Sequence, residues 1–282
     1  MTGARLILVG TPIGNLGDIS PRALEALSSA MVVACEDTRR TGRLLSHFGI
    51  ASPTYIVVNE HTEAEAATRI IERLRNDERV VLVSDAGMPA ISDPGELLVQ
   101  RVIEAGLGVE AIPGPSAALH ALVVSGLVTS RFVVEGFIPR KGSTRSVRLS
   151  EIADEQRTVV IYEAPHRLLR TLGDLLDACG SDRRVAIARE LTKIHEEVWR
   201  GTLGEAVNHW EETAPRGEFV LVLAGSPPPE AAGDDAIVSA LERARGAGVS
   251  TRDAIDEVAR ELSVPRNRVY RVATGSAGSA GE

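Results

Sequence analysis

The chain has 282 residues, enough for two domains and a generous core. Its 44% apolar and 25% charged residues are ordinary for a globular protein, and with 3% aromatics the core has to be built from Val, Leu, Ile and Ala. A net charge of −8 excludes a protein that coats nucleic acid indiscriminately, though not a local basic patch, and no apolar run approaches a membrane span.

Short β-rich runs alternate with helical patterns as far as residue 112. RLILVG (5–10) reads as a buried strand. Ser20-Pro21 then opens a helix, with a serine cap and proline at the first helical position. MVVAC (31–35) and YIVVNE (55–60) are the next strands, and Thr62-Glu-Ala-Glu65 is a capping box ahead of a long amphipathic helix. RVVLVS (79–84) and GVEAIP (108–113) complete a first α/β domain, 1–113. Strands separated by helices pair in parallel, with helices covering both faces of the sheet.

A second α/β domain is expected over 114–225. Its strands are RFVVEGF (131–137), TVVIYEA (158–164), RRVAIARE (183–190) and EFVLVLAG (218–225), and a helix runs from about Pro165 to Gly180. SPPPEAAGDD (226–235) is a linker by composition. A helix-turn-helix-like module follows at 236–274. Ser250-Thr-Arg-Asp253 opens one helix, and Leu262-Ser-Val-Pro265 turns into another carrying Arg266, Arg268 and Arg271. Residues 275–282 read as a disordered tail.

In an open parallel sheet, ligands collect outside the carboxyl ends of the strands. Three expected strands end there in glycine-bearing loops: Gly10–Asn15, Ser84–Pro89 and Pro113–Ser116. Glycine lets backbone approach a ligand closely, and proline holds the loop in shape. One such loop is plain turn chemistry, but three on one rim favour a small-molecule site. LVSDAGMPAISDPG (82–95) writes Ser-Asp twice. Asp93-Pro94-Gly95-Glu96 has an N-cap residue, a first-turn proline and a following acid, so Asp93 is expected to be structural. No helix starts behind Asp85, so its carboxylate is expected to face a cationic or hydroxyl-bearing ligand, an Asx-turn being the plain alternative.

Other chemistries lose support. The first loop has neither G-x-G-x-x-G nor the GK[ST] of a P-loop. His195-Glu-Glu-Val-Trp199 departs from a zinc-protease helix at its fifth position, and there is no nucleophile elbow. Cys35 and Cys179 stand far apart without ligand spacing, so no metal is expected and a reduced, cytoplasmic setting is. The opening MTGARLILVGTPIGN lacks the apolar region and cleavage site of a secretory signal.

Taken in order, TPIGNLGDI (11–19), CEDTRRT (35–41), NEH (59–61), SDAGMPAISDPG (84–95), PGPSA (113–117), EGFIPRKG (135–142), YEAPHR (162–167) and ARELTK (188–193) resemble the tetrapyrrole methylase superfamily. Within it they are similar to the branch that methylates ribose in small-subunit ribosomal RNA. The likeness runs from about Leu6 to Gly225. Met88 departs from it, the family more often having threonine there, although methionine also suits an apolar pocket.

The resemblance implies a two-domain, non-Rossmann α/β fold with S-adenosylmethionine (SAM) in the interdomain cleft. The implied cofactor residues are Pro12, Ile13 and Gly14; Asp85, Gly87 and Met88; Ser116 and Ala117; and Glu163, Ala164 and Leu191. It further implies a homodimer, and as substrate the 2′-hydroxyl of a cytidine in the decoding region of 16S ribosomal RNA, within the assembled 30S subunit. Two alternatives remain at this stage. One is a tetrapyrrole or protein-side-chain methylase of the same superfamily, the other a non-catalytic SAM- or nucleotide-binding regulator. TPIGN, EDTR and YEAPHR favour the RNA branch.

Methyl transfer from a sulfonium to a hydroxyl is an in-line displacement. Alignment can supply on the order of 7–11 kcal/mol, and a base for the hydroxyl proton roughly 10²–10⁴-fold. Asp37, Glu190 and Lys193, in polar strand-end segments, are candidates for that base, each with a salt-bridged structural role as its alternative. His166 divides between helix-cap packing and RNA contact. Arg140, Lys141, Arg145 and Arg148 form the leading phosphate-contact candidate, with no acid between 139 and 148. Few aromatics argue against a strand stacked along a groove, and shape recognition of a folded ribonucleoprotein fits better.

Overall fold

A computed structural model describes residues 5–227 and 232–274. The chain divides into two compact units, Met1–Ser226 and Pro227–Glu282.

The first unit opens with β1 (Arg5–Val9), α1 (Pro21–Ser28), β2 (Val32–Cys35), α2 (Thr38–His47), β3 (Thr54–Val57), α3 (Glu63–Arg75), β4 (Val80–Val83), α4 (Glu96–Glu104) and β5 (Gly108–Ile112). All five expected strands are present, in the order β3-β2-β4-β1-β5, and every neighbour is parallel. A strand covered on both faces has to be apolar throughout. β4 is, and its residues alternate between two cores. Val80 and Leu82 pack with Ile70, Leu74 and Leu98, while Val81 and Val83 pack with Leu27 and Leu45.

Next come α5 (Ala117–Ser125), β6 (Phe132–Phe137), α6 (Ser143–Asp154), β7 (Thr158–Glu163), α7 (Leu168–Cys179), β8 (Arg184–Arg189), β9 (Glu197–Thr202), α8 (Leu203–Glu212) and β10 (Phe219–Leu223). This second sheet has the order β6-β7-β10-β8-β9. Only β6 and β7 run parallel; the other pairs are antiparallel. One face, which carries Phe219, packs on Leu168, Leu172 and Trp210. The other packs on α5, in a cluster that takes in Ile13 from the loop after β1 and Leu191 from the loop after β8. A side chain carried by the first sheet is thus buried against the second.

The second unit consists of α9 (Asp234–Gly246), α10 (Thr251–Glu261) and α11 (Arg266–Ala273) around Ile237, Leu241, Ile255, Val258 and Val269. Ser250 caps α10 by accepting from the Asp253 N–H. Residues 275–282, expected to be a disordered tail, lie outside the described residues. Among the described residues no helix is long and apolar enough to cross a membrane.

Candidate active site

The three glycine-bearing loops meet. The Thr11 N–H donates to the Gly87 carbonyl at 2.9 Å, and the Gly87 N–H returns the bond to Thr11 at 3.1 Å. The Thr11 hydroxyl donates to the Ser84 carbonyl at 3.3 Å. Gly10 and Gly114 lie so close that a β-carbon on either would fall 2.6 Å from the other's Cα, and Gly87 has φ +83°. Neither arrangement tolerates a larger residue. A further tie crosses to the second sheet, where the Asn15 N–H donates to the Thr192 hydroxyl at 3.0 Å.

Where the loops meet is a cavity of about 420 Å³, a size typical of small-molecule sites. Nine of the eleven residues implied for the cofactor line it: Ile13, Asp85, Gly87, Met88, Ser116, Ala117, Glu163, Ala164 and Leu191. Pro12 and Gly14 line an adjoining space of about 680 Å³ instead. Ile13, Met88, Ala117, Leu191 and Val220 make an apolar surface, with carboxylates from the 84–93 loop nearby. The Glu163 side chain is buried and already committed. It accepts from the Ala164 N–H at 2.8 Å and the Thr171 hydroxyl at 2.5 Å, and it pairs with Arg167 at 3.2 Å. Its work is to hold the 163–165 backbone in place.

Asp85 accepts from the Asp37 N–H at 3.2 Å and pairs with Arg40 at 3.4 Å. The second Ser-Asp corrects the expectation made for it. Asp93 does not cap α4; the N-cap is Gly95, at φ +133°. The cap hydrogen bonds come from α3, where Glu63 Oε1 accepts from the Gly95 N–H at 3.0 Å and the Leu98 N–H at 2.9 Å. The capping box written for Thr62 and Glu65 is likewise not formed. Thr62 instead donates its hydroxyl to the Val57 carbonyl. Asp93 is left lining the cavity beside Glu36 and Asp85. Burial, and then the charge of Glu36, push its carboxyl up to about 6 against an opposing hydrogen bond from Ser84. Burial, then Asp85, also raises Glu36.

The expected bases are held otherwise. Asp37 caps α2 through the Arg39 N–H at 2.8 Å and binds the Arg39 side chain, which lowers its carboxyl to about 2. Lys193 donates to Glu190 at 2.8 Å and Glu218 at 2.9 Å. Burial works to lower the Lys193 ammonium, but those two bonds outweigh it and raise its pKa. Burial works to raise Glu190, and its bonds from Lys193 and the Glu218 N–H outweigh that and lower it. All three are kept charged.

The basic run also needs correction at one residue. Arg145 is only 4% exposed. Its guanidinium donates to Asp174 at 2.7 Å, the Pro139 carbonyl at 2.9 Å and the Thr171 hydroxyl at 3.1 Å, so each of its three nitrogens is already engaged inside the fold. Arg148 pairs with Glu135 and Glu151, while Arg140 and Lys141 stand exposed. In the second unit Arg266 pairs with Asp256 and Arg268 with Asp234, and Arg271 is exposed. His166 is exposed in a 3₁₀ turn, Pro165–Arg167. Glu36, Arg40, Phe137 and Tyr162 line the cavity without having been expected there from the sequence, and Asp93 lines it although it was expected to be structural. For Asp93 the repeated Ser-Asp was the available signal.

A family model described as tetrapyrrole (corrin/porphyrin) methylases matches residues 5–207. Uroporphyrin-III C-methyltransferase from Thermus thermophilus, complexed with S-adenyl homocysteine, superposes with a TM-score of 0.57 at 20% identity, over 78% of this chain and 97% of that one. At that identity the likeness is one of fold. Fold and family model together define the class as a methyltransferase of the tetrapyrrole methylase type. Nearer in sequence is a ribosomal RNA small subunit methyltransferase I from Synechocystis sp., 44% identical over 269 residues, 95% of this chain and 96% of its own. Its namesake from Thermotoga maritima is 46% identical over 221 residues, 78% of this chain and 98% of its own. The chain belongs to the tetrapyrrole methylase family, in the ribosomal RNA small subunit methyltransferase I branch.

Proposed function

We propose that the protein transfers a methyl group from SAM to the ribose 2′-hydroxyl of a cytidine in the decoding region of 16S ribosomal RNA. It acts in the cytoplasm, on the assembled 30S subunit. The observation that carries this reading is the meeting of nine implied cofactor residues in a single cavity. The apolar surface of Ile13, Met88 and Leu191 suits the flat and aliphatic parts of SAM, and the nearby carboxylates of Glu36, Asp85 and Asp93 suit a ligand that carries positive charge and hydroxyls.

When bound, SAM supplies an electrophilic methyl on a cationic sulfur. The chain supplies alignment and a place for a proton. Because the 10–14 and 84–89 loops are bonded to each other beforehand and Gly114 packs against Gly10, little entropy remains to be lost when the reactants are ordered. Among the cavity's carboxylates, Asp93 has its pKa pushed up to about 6, near working pH, where a general base is most effective. Asp37, Glu190 and Lys193 serve as structural ions around it. Exposed Arg140, Lys141 and Arg271 contact phosphates, whereas Arg148, Arg266 and Arg268 reach RNA only by giving up acid partners.

Tritiated SAM incubated with 30S subunits lacking the modification tests the reaction. Label recovered as 2′-O-methylcytidine in 16S RNA is the expected result. Label elsewhere, or binding of SAM without transfer, would point to another methylase or to a regulator. The homodimer rests on apolar surface at α5, where Val123 is 70% exposed beside Leu119. Val123→Glu is expected to sediment as a monomer where the parent is a dimer.

A further inference from the structure

A trough leads away from the cavity. Its first stretch, about 680 Å³, shares Arg40 and Asp85 with the cavity and is walled by Arg43 of α2. Its second stretch, about 660 Å³, shares Gly14, Leu16 and Lys193 with the first and ends between His47 and Ile194. One wall is thus the basic side of α2 and the other is the 190–196 loop.

Thr38–His47 carries Arg39, Arg40, Arg43 and His47 and no acid. Arg39 and Arg40 are tied to Asp37 and Asp85, and Lys193 is held between two glutamates. Arg43 is exposed, and no ion pair among the described residues involves it. In a chain of net charge −8, a free guanidinium in a trough wall is a phosphate contact in search of a phosphate. At the far end of the trough, Ile194 is 97% exposed. Its loop is not slack: Glu190 and Thr192 take φ +50° and +64°, the Thr192 N–H donates to Glu196, and the Thr192 hydroxyl accepts from Asn15. A rigid loop that holds an isoleucine out in water forgoes its burial unless something covers it. Apolar side chains of this kind wedge against bases.

We infer that, given the RNA methylation proposed above, this trough holds the RNA strand flanking the reacting nucleotide, with Arg43 on a phosphate and Ile194 against a neighbouring base. The two contacts differ in kind, so they separate experimentally. Arg43→Ala and Ile194→Ser are made in the full chain and measured for binding to unmodified 30S subunits across a salt series, with SAM binding followed by calorimetry. Arg43→Ala flattens the plot of log affinity against log salt by about 0.7–0.9. Ile194→Ser weakens binding roughly tenfold at unchanged slope. Both keep the parent's affinity for SAM. If neither variant changes subunit binding while the parent still labels 16S RNA, the trough assignment falls and the methylation reading stands. A parent that neither binds subunits nor labels their RNA overturns both. A loss of SAM affinity matching the loss of subunit affinity would locate the damage in the cavity and likewise overturn the trough.

Discussion

Asp93 sits half-buried beside two other carboxyl groups, and its pKa of about 6 against an ordinary 3.8 reflects burial first and the charge of Glu36 second. Since the folded value lies above the unfolded one, the native chain binds more protons between about pH 4 and 6, and stability falls as pH rises through that window. Asp93→Asn keeps the shape and removes the charge. It is expected to stabilise the chain at about pH 7.5 by on the order of 1–2 kcal/mol after discounting for partial exposure, read as a higher thermal midpoint, and to leave the midpoint unchanged at about pH 4. Methyl transfer should fall roughly 10²–10⁴-fold and lose the acid limb of its pH profile near 6. Equal stabilisation at both pH values, or an unaltered rate, would remove Asp93 from this role. The sequence misassigned this residue because Asp-Pro-Gly-Glu satisfies every local rule for a helix start. What decided against it was a carboxylate 32 positions before Gly95, that of Glu63. Arg145 was misassigned for the same reason: its partners Asp174 and Thr171 arrive from α7, and no local pattern announces them. Asp85, for which no helix start competed, does line the cavity, and its partners Asp37 and Arg40 also come from elsewhere in the chain.

Elements followed burial. β1, β2 and β4 are apolar runs with both faces covered, and their sequence alone sets them apart. β9 was missed because Glu-Val-Trp-Arg-Gly-Thr lies at the edge of its sheet, half-buried along most of its length, without the alternation that marks a strand. Its existence depends on six registered partners in β8 rather than on its own composition. α4 shows the same dependence at a helix end. With Gly95 as N-cap, the first turn has no local side chain to satisfy it. Glu63→Ala is therefore expected to destabilise the chain by about 1–2 kcal/mol in urea unfolding. Because the 90–95 loop leads directly into that turn, SAM affinity should fall as well. Glu63→Gln, which keeps an acceptor oxygen, should recover most of both. A Glu63→Ala chain as stable as its parent would mean that water satisfies the two N–H groups equally well.

At the scale of the whole molecule, each unit has its own core: four apolar clusters within the first and the Ile237–Val269 cluster within the second. All residues that line the cavity and the trough belong to the first, and so does the stretch matched by the family model. The Thermotoga maritima relative is matched over 98% of its length by 221 residues of this chain, about the size of the first unit alone. A core that folds by itself should not need the second unit to hold a small molecule. A chain ending at Ser226 is expected to unfold cooperatively, and calorimetry should give it a SAM affinity within about twofold of the parent. If the module adds phosphate contacts through Arg271, the same truncation flattens the salt dependence of 30S binding while the donor site stays intact. A truncated chain whose SAM affinity drops tenfold would show instead that the three helices support the cavity, and their role would then lie in holding the fold rather than in reaching the RNA.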